Sequence, residues 1–412
     1  MIKLLIKFIP AFIIVVTSCY DGVNKIQFDN PDDPDVPNVF YNGNGNTTGI
    51  VPVDLNNYSS GQSVTVLGNS DSLSRTGYIF YGWNTEANGS GTNYSPKDTF
   101  QIGNSDVMLY ARWLLKWTEQ LDSGIKSWNS IAQSADGMKL IATANSRYIY
   151  TSDDGGITWL KRDNLESYSI LLLTSSFSSS DGVTLAVCGS EEYFFISKDS
   201  GSTWNEYTSS LAYNWESIAG SADGIKLFMC NQDGYINRSD DSGNSSSVDL
   251  SIDIFNFKSV LSITSSSNGT RLAVSGNNLV YTSADGGSSW TAHNDMEGHE
   301  YSSIASSADG TRLAVCAVNG YIYTSVDSGS IWTENTAAGK RYWQFITSSS
   351  DGTKIAACAS NGYIYTSTDG GLTWIQQDHA GIRDWESITM TPDGSKIAAC
   401  VNNGYIYTAS WE

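Results

Sequence analysis

Four positions in this 412-residue chain combine a basic side chain with an aromatic ring at fixed spacing. Lys126, His299, Arg341 and Arg383 each stand two residues before Trp128, Tyr301, Trp343 and Trp385, and Tyr213 stands two before Trp215. Tyr168 is a further aromatic at the end of such a connecting segment. A cation beside an aromatic can stack a sugar ring or grip an acidic ligand. The competing reading is that the aromatic packs in the core and the cation lies on its face, worth about 0.5–1 kcal/mol at exposed sites. Glu216 and Glu386 share a repeated position and could act as a carboxylate pair across a cleft, or be solvated side chains. His293, His299 and His379 show neither metal nor triad spacing, so neither a metal nor a cofactor is expected.

Composition narrows the setting. The 43 acidic residues against 23 basic ones give a net charge of -20, which repels phosphate backbones and excludes nucleic acid as a partner. Hydrophobic residues at 40% with 12% aromatics exclude a disordered chain. The 38 glycines and 7 prolines, among abundant Ser and Thr, point to many short strands joined by tight turns.

Residues 1–19 read as an address. Lys3 and Lys7 precede the apolar run Phe8 to Val16, which is too short to span a bilayer. The run ends in Val16-Thr17-Ser18-Cys19, which resembles a bacterial lipobox. That resemblance implies acylation of Cys19, attachment to a membrane through lipid alone, and a place in the cell envelope, at the outer membrane or cell surface. Residues 20–38, with the run Asn30-Pro31-Asp32-Asp33-Pro34-Asp35, read as an extended acidic tether.

The elements that must carry the cation–aromatic pairs appear as repeats. Gly137, Gly182, Gly224, Gly269, Gly310, Gly352 and Gly394 mark Ser-rich turns that recur along the second part of the chain. Six residues after them come Thr143, Cys188, Cys230, Ser275, Cys316, Cys358 and Cys400, which defines a small buried slot where free Cys acts as a hydrophobe. Each repeat reads as four strands, the unit of a propeller. Trp117-Thr118-Glu119 matches Trp332-Thr333-Glu334, so the region opens with an orphan fourth strand, and the chain stops at Glu412 where the last repeat needs one. Pairing those ends removes two sheet edges. The expected fold is all-β: a small β module over 39–114, then a closed seven-bladed β-propeller over 115–412.

Two resemblances sharpen this. The run Gly77-Tyr78-Ile79-Phe80-Tyr81-Gly82-Trp83-Asn84-Thr85 and the ending Leu109-Tyr110-Ala111-Arg112-Trp113 resemble a Listeria–Bacteroides (InlB B-type) repeat. This family implies a β-grasp-like spacer or adhesive module. The motif Ser-x-Asp-x-Gly-x-Thr-Trp, as Ser152 to Trp159, Ser197 to Trp204 and Ser367 to Trp374, with near-copies at Ser283 and Ser325, resembles the Asp-box (BNR) of sialidase-like propellers. In it the Asp accepts backbone N–H groups and the Gly takes positive φ. The propellers of photosystem II assembly factors are also similar.

Catalysis is weighed against binding on the residues present. A sialidase needs an Arg-Ile-Pro segment and an Arg triad; the segment is absent. Arg271 and Arg312 share a repeated position with Lys354 and Lys396, so they read as ordinary repeat residues. The expectation is a monomeric, surface-anchored, non-catalytic module that binds glycans or proteins through the rim residues Lys126, Trp128, Trp215, His299, Tyr301, Arg341, Trp343, Arg383 and Trp385. A divergent exo-glycosidase is the alternative.

Overall fold

Alternating apolar and polar residues between Gly, Asn and Ser turns produce strands throughout. The computed structural model describes residues 36–411, except 145–146, 163–171, 190–192, 209–213, 244–259 and 297. It also describes the backbone of a short antiparallel pair, Val15–Ser18 with Asn24–Gln27. Cys19, Tyr168 and Tyr213 lie outside the described residues. The chain divides into two units, Met1–Lys116 and Trp117–Glu412.

In the first unit, Val107–Leu115 lies between Val39–Asn42, which it pairs in parallel, and Tyr78–Asn84, which it pairs antiparallel. Asn93–Tyr94 extends the far edge, and Ser63–Thr65 pairs separately with Thr99–Gln101. Tyr41 and Trp83 meet edge to face at 4.6 Å in the core, and both are almost wholly buried. The indoles are satisfied internally: Trp83 Nε1 donates to Leu67 O at 2.9 Å and Trp113 Nε1 to Gly43 O at 3.0 Å. These aromatics serve burial, which a module this small requires.

The second unit is a succession of antiparallel sheets. The first sheet runs Trp128–Gln133, Leu140–Ala144, Tyr148–Ser152 and Leu160–Arg162. The following sheets open with Leu173–Ser178, Trp215–Gly220, Val260–Ser265, Tyr301–Ser306 and Arg341–Ser348, the last two joined edge to edge where Val318 and Gly320 pair with Tyr342 and Arg341. The third sheet has three strands among the described residues. The seventh combines Trp385–Met390, Lys396–Val401 and Ile406–Ser410 with Thr118–Gln120 from the start of the unit. Opening strands of successive sheets pack on one another, and that of the seventh packs on that of the first.

Each opening strand carries a β-bulge, after its leading residue as between Trp128 and Ser130 or Trp385 and Ser387, and after Trp343 in Arg341–Ser348. In several sheets a Ser hydroxyl of the preceding sheet meets a backbone N–H beside the bulge. Ile218 N donates to Ser175 Oγ, Ile263 N to Ser217 Oγ, Ile304 N to Ser262 Oγ and Ile346 N to Ser303 Oγ, each at 3.3 Å. Cys188, Cys230, Cys316, Cys358 and Cys400 are buried and free in the second strands, in the slot their spacing indicated. Burial pushes the Cys188 and Cys316 thiols up to about 12.

Candidate functional site

The segments that lead into the opening strands hold the cation–aromatic pairs. Three of them contain a short 3-10 turn followed by a glycine of positive φ: Leu121–Ser123 with Gly124, Thr336–Ala338 with Gly339, and Asp378–Ala380 with Gly381. A side chain at Gly124 would meet Lys126 Nζ at 2.7 Å, so this glycine leaves room for the ammonium to fold back over the turn, whereas one at Gly339 would make only ordinary contact with Arg341, at 3.5 Å.

The three cations are seated alike. Arg341 Nε donates to Ala338 O and Arg383 Nε to Ala380 O, both at 3.0 Å, and Lys126 Nζ donates to Ser123 O. Each lies over a tyrosine of the third strand of its own sheet. Lys126 is 4.7 Å from the Tyr150 ring, Arg341 4.3 Å from Tyr365 and Arg383 4.4 Å from Tyr407. Burial pulls the Lys126 ammonium below its ordinary pKa, against the opposing pull of Asp122. His299 occupies the matching place in the fifth sheet, its Nε2 3.1 Å from the Tyr323 hydroxyl.

The tyrosines were missed at the sequence level. The expected cation partner was the aromatic two residues on, yet Lys126 is farther from Trp128, at 5.2 Å, and Arg341 from Trp343, at 6.0 Å. The signal was present: Tyr365 and Tyr407 stand at one repeated position of the third strand, where alternation alone reads as ordinary strand pattern.

The aromatic members of the set do not form an open stacking rim. Trp128, Trp215, Tyr301, Trp343 and Trp385 are each at most 1% exposed. Trp128 Nε1 donates to Gly404 O of the seventh sheet and Trp343 Nε1 to Gly320 O of the fifth, each at 3.1 Å. These rings wedge against the preceding sheet, so no face remains on which a sugar could stack. Leu173 and Val260 take the same place in the second and fourth sheets.

What reaches solvent is the cations and their neighbours. Ile125, Tyr342 and Ile382, adjacent to Lys126, Arg341 and Arg383, are 67%, 61% and 64% exposed. Among the described residues no carboxylate lies within ion-pair distance of those three cations. Asp384 beside Arg383 is engaged elsewhere, accepting from Ser360 Oγ at 2.8 Å and Asn402 Nδ2 at 3.1 Å.

Glu216 and Glu386 follow Trp215 and Trp385 on the opening strands. Burial raises both carboxyls above the usual range. Gln232 Nε2 donates to Glu216 at 2.7 Å and Gln344 Nε2 to Glu386 at 3.2 Å. Among the described residues no group of three His, Cys, Asp or Glu side chains is placed to hold a metal ion.

Comparison with known proteins divides along the same two units. Residues 38–112 match the Listeria–Bacteroides repeat domain. Two proteins of Evansella cellulosilytica, both named as membrane proteins, are 41% identical over 75 residues and 45% identical over 73. Those stretches cover 18% and 15% of this chain but only 11% and 8% of the relatives.

The second unit has the fold of a β-propeller. YCF48 from Cyanidioschyzon merolae superposes with a TM-score of 0.59 at 18% identity, over 72% of this chain and 99% of that one. YCF48 bound to D1 peptide gives 0.56 at 17%, over 72% and 97%. The GH74 xyloglucanase of Xanthomonas campestris gives 0.56 at 15%, over 71% of this chain and 53% of the enzyme. Identities this low speak for the fold alone.

Proposed function

We propose that the protein is a lipid-anchored surface lipoprotein, a non-catalytic module for binding and adhesion to glycans or proteins. In this reading the second unit is a seven-bladed Asp-box propeller closed by its first strand, and the first unit is a β-grasp-like spacer. The anchor is the acylated Cys19, in a bacterial cell envelope. The binding surface is the arc over the sixth, seventh and first blades, where Arg341, Arg383 and Lys126 stand in succession.

The observation that carries this is the set of three equivalent cations without a carboxylate partner in a protein of net charge -20. Elsewhere such a surface repels anions; here it presents two guanidinium forks held through Nε, with the Lys126 ammonium in the matching place. Fixed donors lose little freedom when a ligand binds. The exposed Ile125, Tyr342 and Ile382 beside them favour an acidic protein segment over a glycan. The peptide held by YCF48 is in keeping with this.

The test is binding of the full chain to an array of acidic and neutral glycans and acidic peptides. Acidic probes should bind, weakening with salt because exposed charges are screened over about 8 Å at physiological ionic strength. Arg341→Ala with Arg383→Ala should lower binding at least tenfold with the fold retained. Unchanged binding by the folded double variant would sink the arc. Cys19→Ala should move the protein from the membrane to the soluble fraction; continued membrane fractionation would refute the lipid anchor.

A second reading, a divergent glycosidase, draws on the raised carboxyls of Glu216 and Glu386 and on the likeness to a xyloglucanase. A raised carboxyl suits a general acid. Hydrolysis of xyloglucan or sialosides by the protein, abolished by Glu216→Gln or Glu386→Gln, would establish it in place of the first.

A further inference from the structure

Between the fourth and fifth sheets of the second unit lies a polar cleft of ≈ 200 Å³, lined by Arg271, Thr282, Thr291, His293, Ser328 and Ser330 together with further serines, apolar residues and no carboxylate. The matching place between the fifth and sixth sheets, against Arg312 and Gly370, holds ≈ 10 Å³. The two junctions share their scaffold. Arg271 and Arg312 precede equivalent strands, and Thr282 and Thr324 face the junction from equivalent third strands. They differ where His293, just after the fourth strand, replaces Asn335 and Ser328 replaces Gly370 in the turn.

We propose that this cleft binds a small sugar acid, with Arg271 taking the carboxylate and His293 and Thr291 taking hydroxyl groups. Arg271 Nη1 donates to Ser328 Oγ at 2.7 Å, which fixes the plane of the guanidinium. Its Nε and Nη2 make no hydrogen bond among the described residues, so one edge of the fork is free to pair with a carboxylate. His293 Nε2 lies 2.9 Å from Thr282 Oγ1, which fixes the ring. Burial pulls the ring's pKa down, against the opposing charges of Asp295 and Asp327, so the neutral imidazole is the form offered to a hydroxyl. Thr291 is exposed at the mouth, its hydroxyl without a partner among the described residues.

Size argues for more than a bare anion. The cleft has room for about six water molecules at the volume each takes in the liquid, more than a lone carboxylate or sulfate displaces. Its polar lining is chiefly hydroxyl groups, which match a ligand that itself carries several. The site is separate from the cationic arc and would stand if that reading fell.

The experiment is calorimetric titration of the full chain with glucuronate, and with glucose and sulfate at the same concentrations. Glucuronate should bind and glucose should not. Arg271→Lys should weaken glucuronate at least tenfold with the melting temperature unchanged, because the fold already places lysine at this position as Lys139, Lys226, Lys354 and Lys396. Arg312→Lys, at the closed junction, should change nothing. Absence of glucuronate binding, or binding indifferent to Arg271→Lys, would overturn the proposal. Sulfate binding as tightly as glucuronate would overturn the sugar-acid assignment, and loss of binding in the arc variant would move the ligand to the arc.

Discussion

Gln120 Nε2 donates to Thr408 Oγ1 at 2.6 Å across 288 residues of chain. The same contact is local in other sheets. Gln377 Nε2 donates to Thr366 Oγ1 at 2.7 Å and Asn335 Nδ2 to Thr324 Oγ1 at 3.0 Å, each over eleven residues. The seventh sheet thus reproduces with the two ends of the unit what other sheets build within one repeat. Here it also joins Tyr407 to Glu119 by a hydrogen bond from hydroxyl to carboxylate.

Closure should therefore cost more to break than the bond itself. Gln120→Ala and Gln377→Ala remove equivalent bonds and should each destabilise by about 0.5–1.5 kcal/mol, within error of one another. Deleting residues 118–120 also exposes the edge of Ile406–Ser410 and should lower the melting temperature by well over the 2–4 °C that about 1 kcal/mol represents in a large domain. Equal melting temperatures for the deletion and the point variants would show that the seventh sheet does not need its fourth strand.

Acid should unfold the second unit over a defined window. Asp285, Asp309 and Asp351 are held down at about 2 from an ordinary 3.8, by the hydroxyls of Ser289, Ser307 and Ser349 first and then by backbone N–H groups. Asp136, Asp154, Asp181, Asp199, Asp223, Asp369 and Asp393 are lowered as well. A carboxyl whose folded pKa lies below its unfolded value stabilises the fold while ionised, because below that value the unfolded chain binds more protons. Their joint contribution should be full above pH 4 and lost as pH falls from about 4 to about 2. Urea midpoints measured across that range check it; a midpoint flat from pH 5 to pH 2 contradicts the shifts.

Much of the fold was legible because the same residues recur at the same spacing. The Ser-x-Asp turns form as expected: Thr158 N and Thr158 Oγ1 both donate to Asp154, and Gly156 takes a φ of 91°. The site was legible in position but not in kind. Whether Trp128 and Trp385 face solvent depends on the bulge that follows each of them, and alternation of residue types does not report a bulge. The cleft at Arg271 was illegible for another reason. It arises from His293 and Ser328, at positions that vary from sheet to sheet, and repetition draws the eye to what is shared.

The slot of the buried cysteines allows a stabilising change. Thr143 Oγ1 and Ser275 Oγ occupy it in the first and fourth sheets, each buried without a hydrogen-bond partner. An unmet buried hydroxyl costs about 1–3 kcal/mol. Ser275→Cys should recover about 1 kcal/mol, seen as a higher urea midpoint, and Cys358→Ser should lose a similar amount. A lower midpoint for Ser275→Cys would mean that the slot in the fourth sheet differs in shape from the others.

One Ser-x-Asp turn is incomplete, and repairing it should raise stability. In the turns at Asp154, Asp199, Asp285 and Asp369 a Thr or Ser hydroxyl donates to the second carboxylate oxygen, at 2.7, 2.6, 2.6 and 2.5 Å. In the fifth sheet Ile331 stands there, and only its backbone N–H reaches Asp327, at 2.9 Å. The Ile331 side chain is instead 68% exposed. The neighbouring indole is affected as well. Trp159, Trp204, Trp290 and Trp374 donate to the turn glycine at 2.8, 3.1, 3.0 and 2.9 Å, whereas Trp332 Nε1 is buried without a partner. Ile331→Thr supplies the missing donor and removes an exposed apolar side chain, and should raise the melting temperature by about 1–2 °C. Thr158→Ile in the first sheet should lower it by a similar amount. Opposite signs for the pair are required; a fall in both would mean that the fifth turn is held open by its surroundings rather than by Ile331.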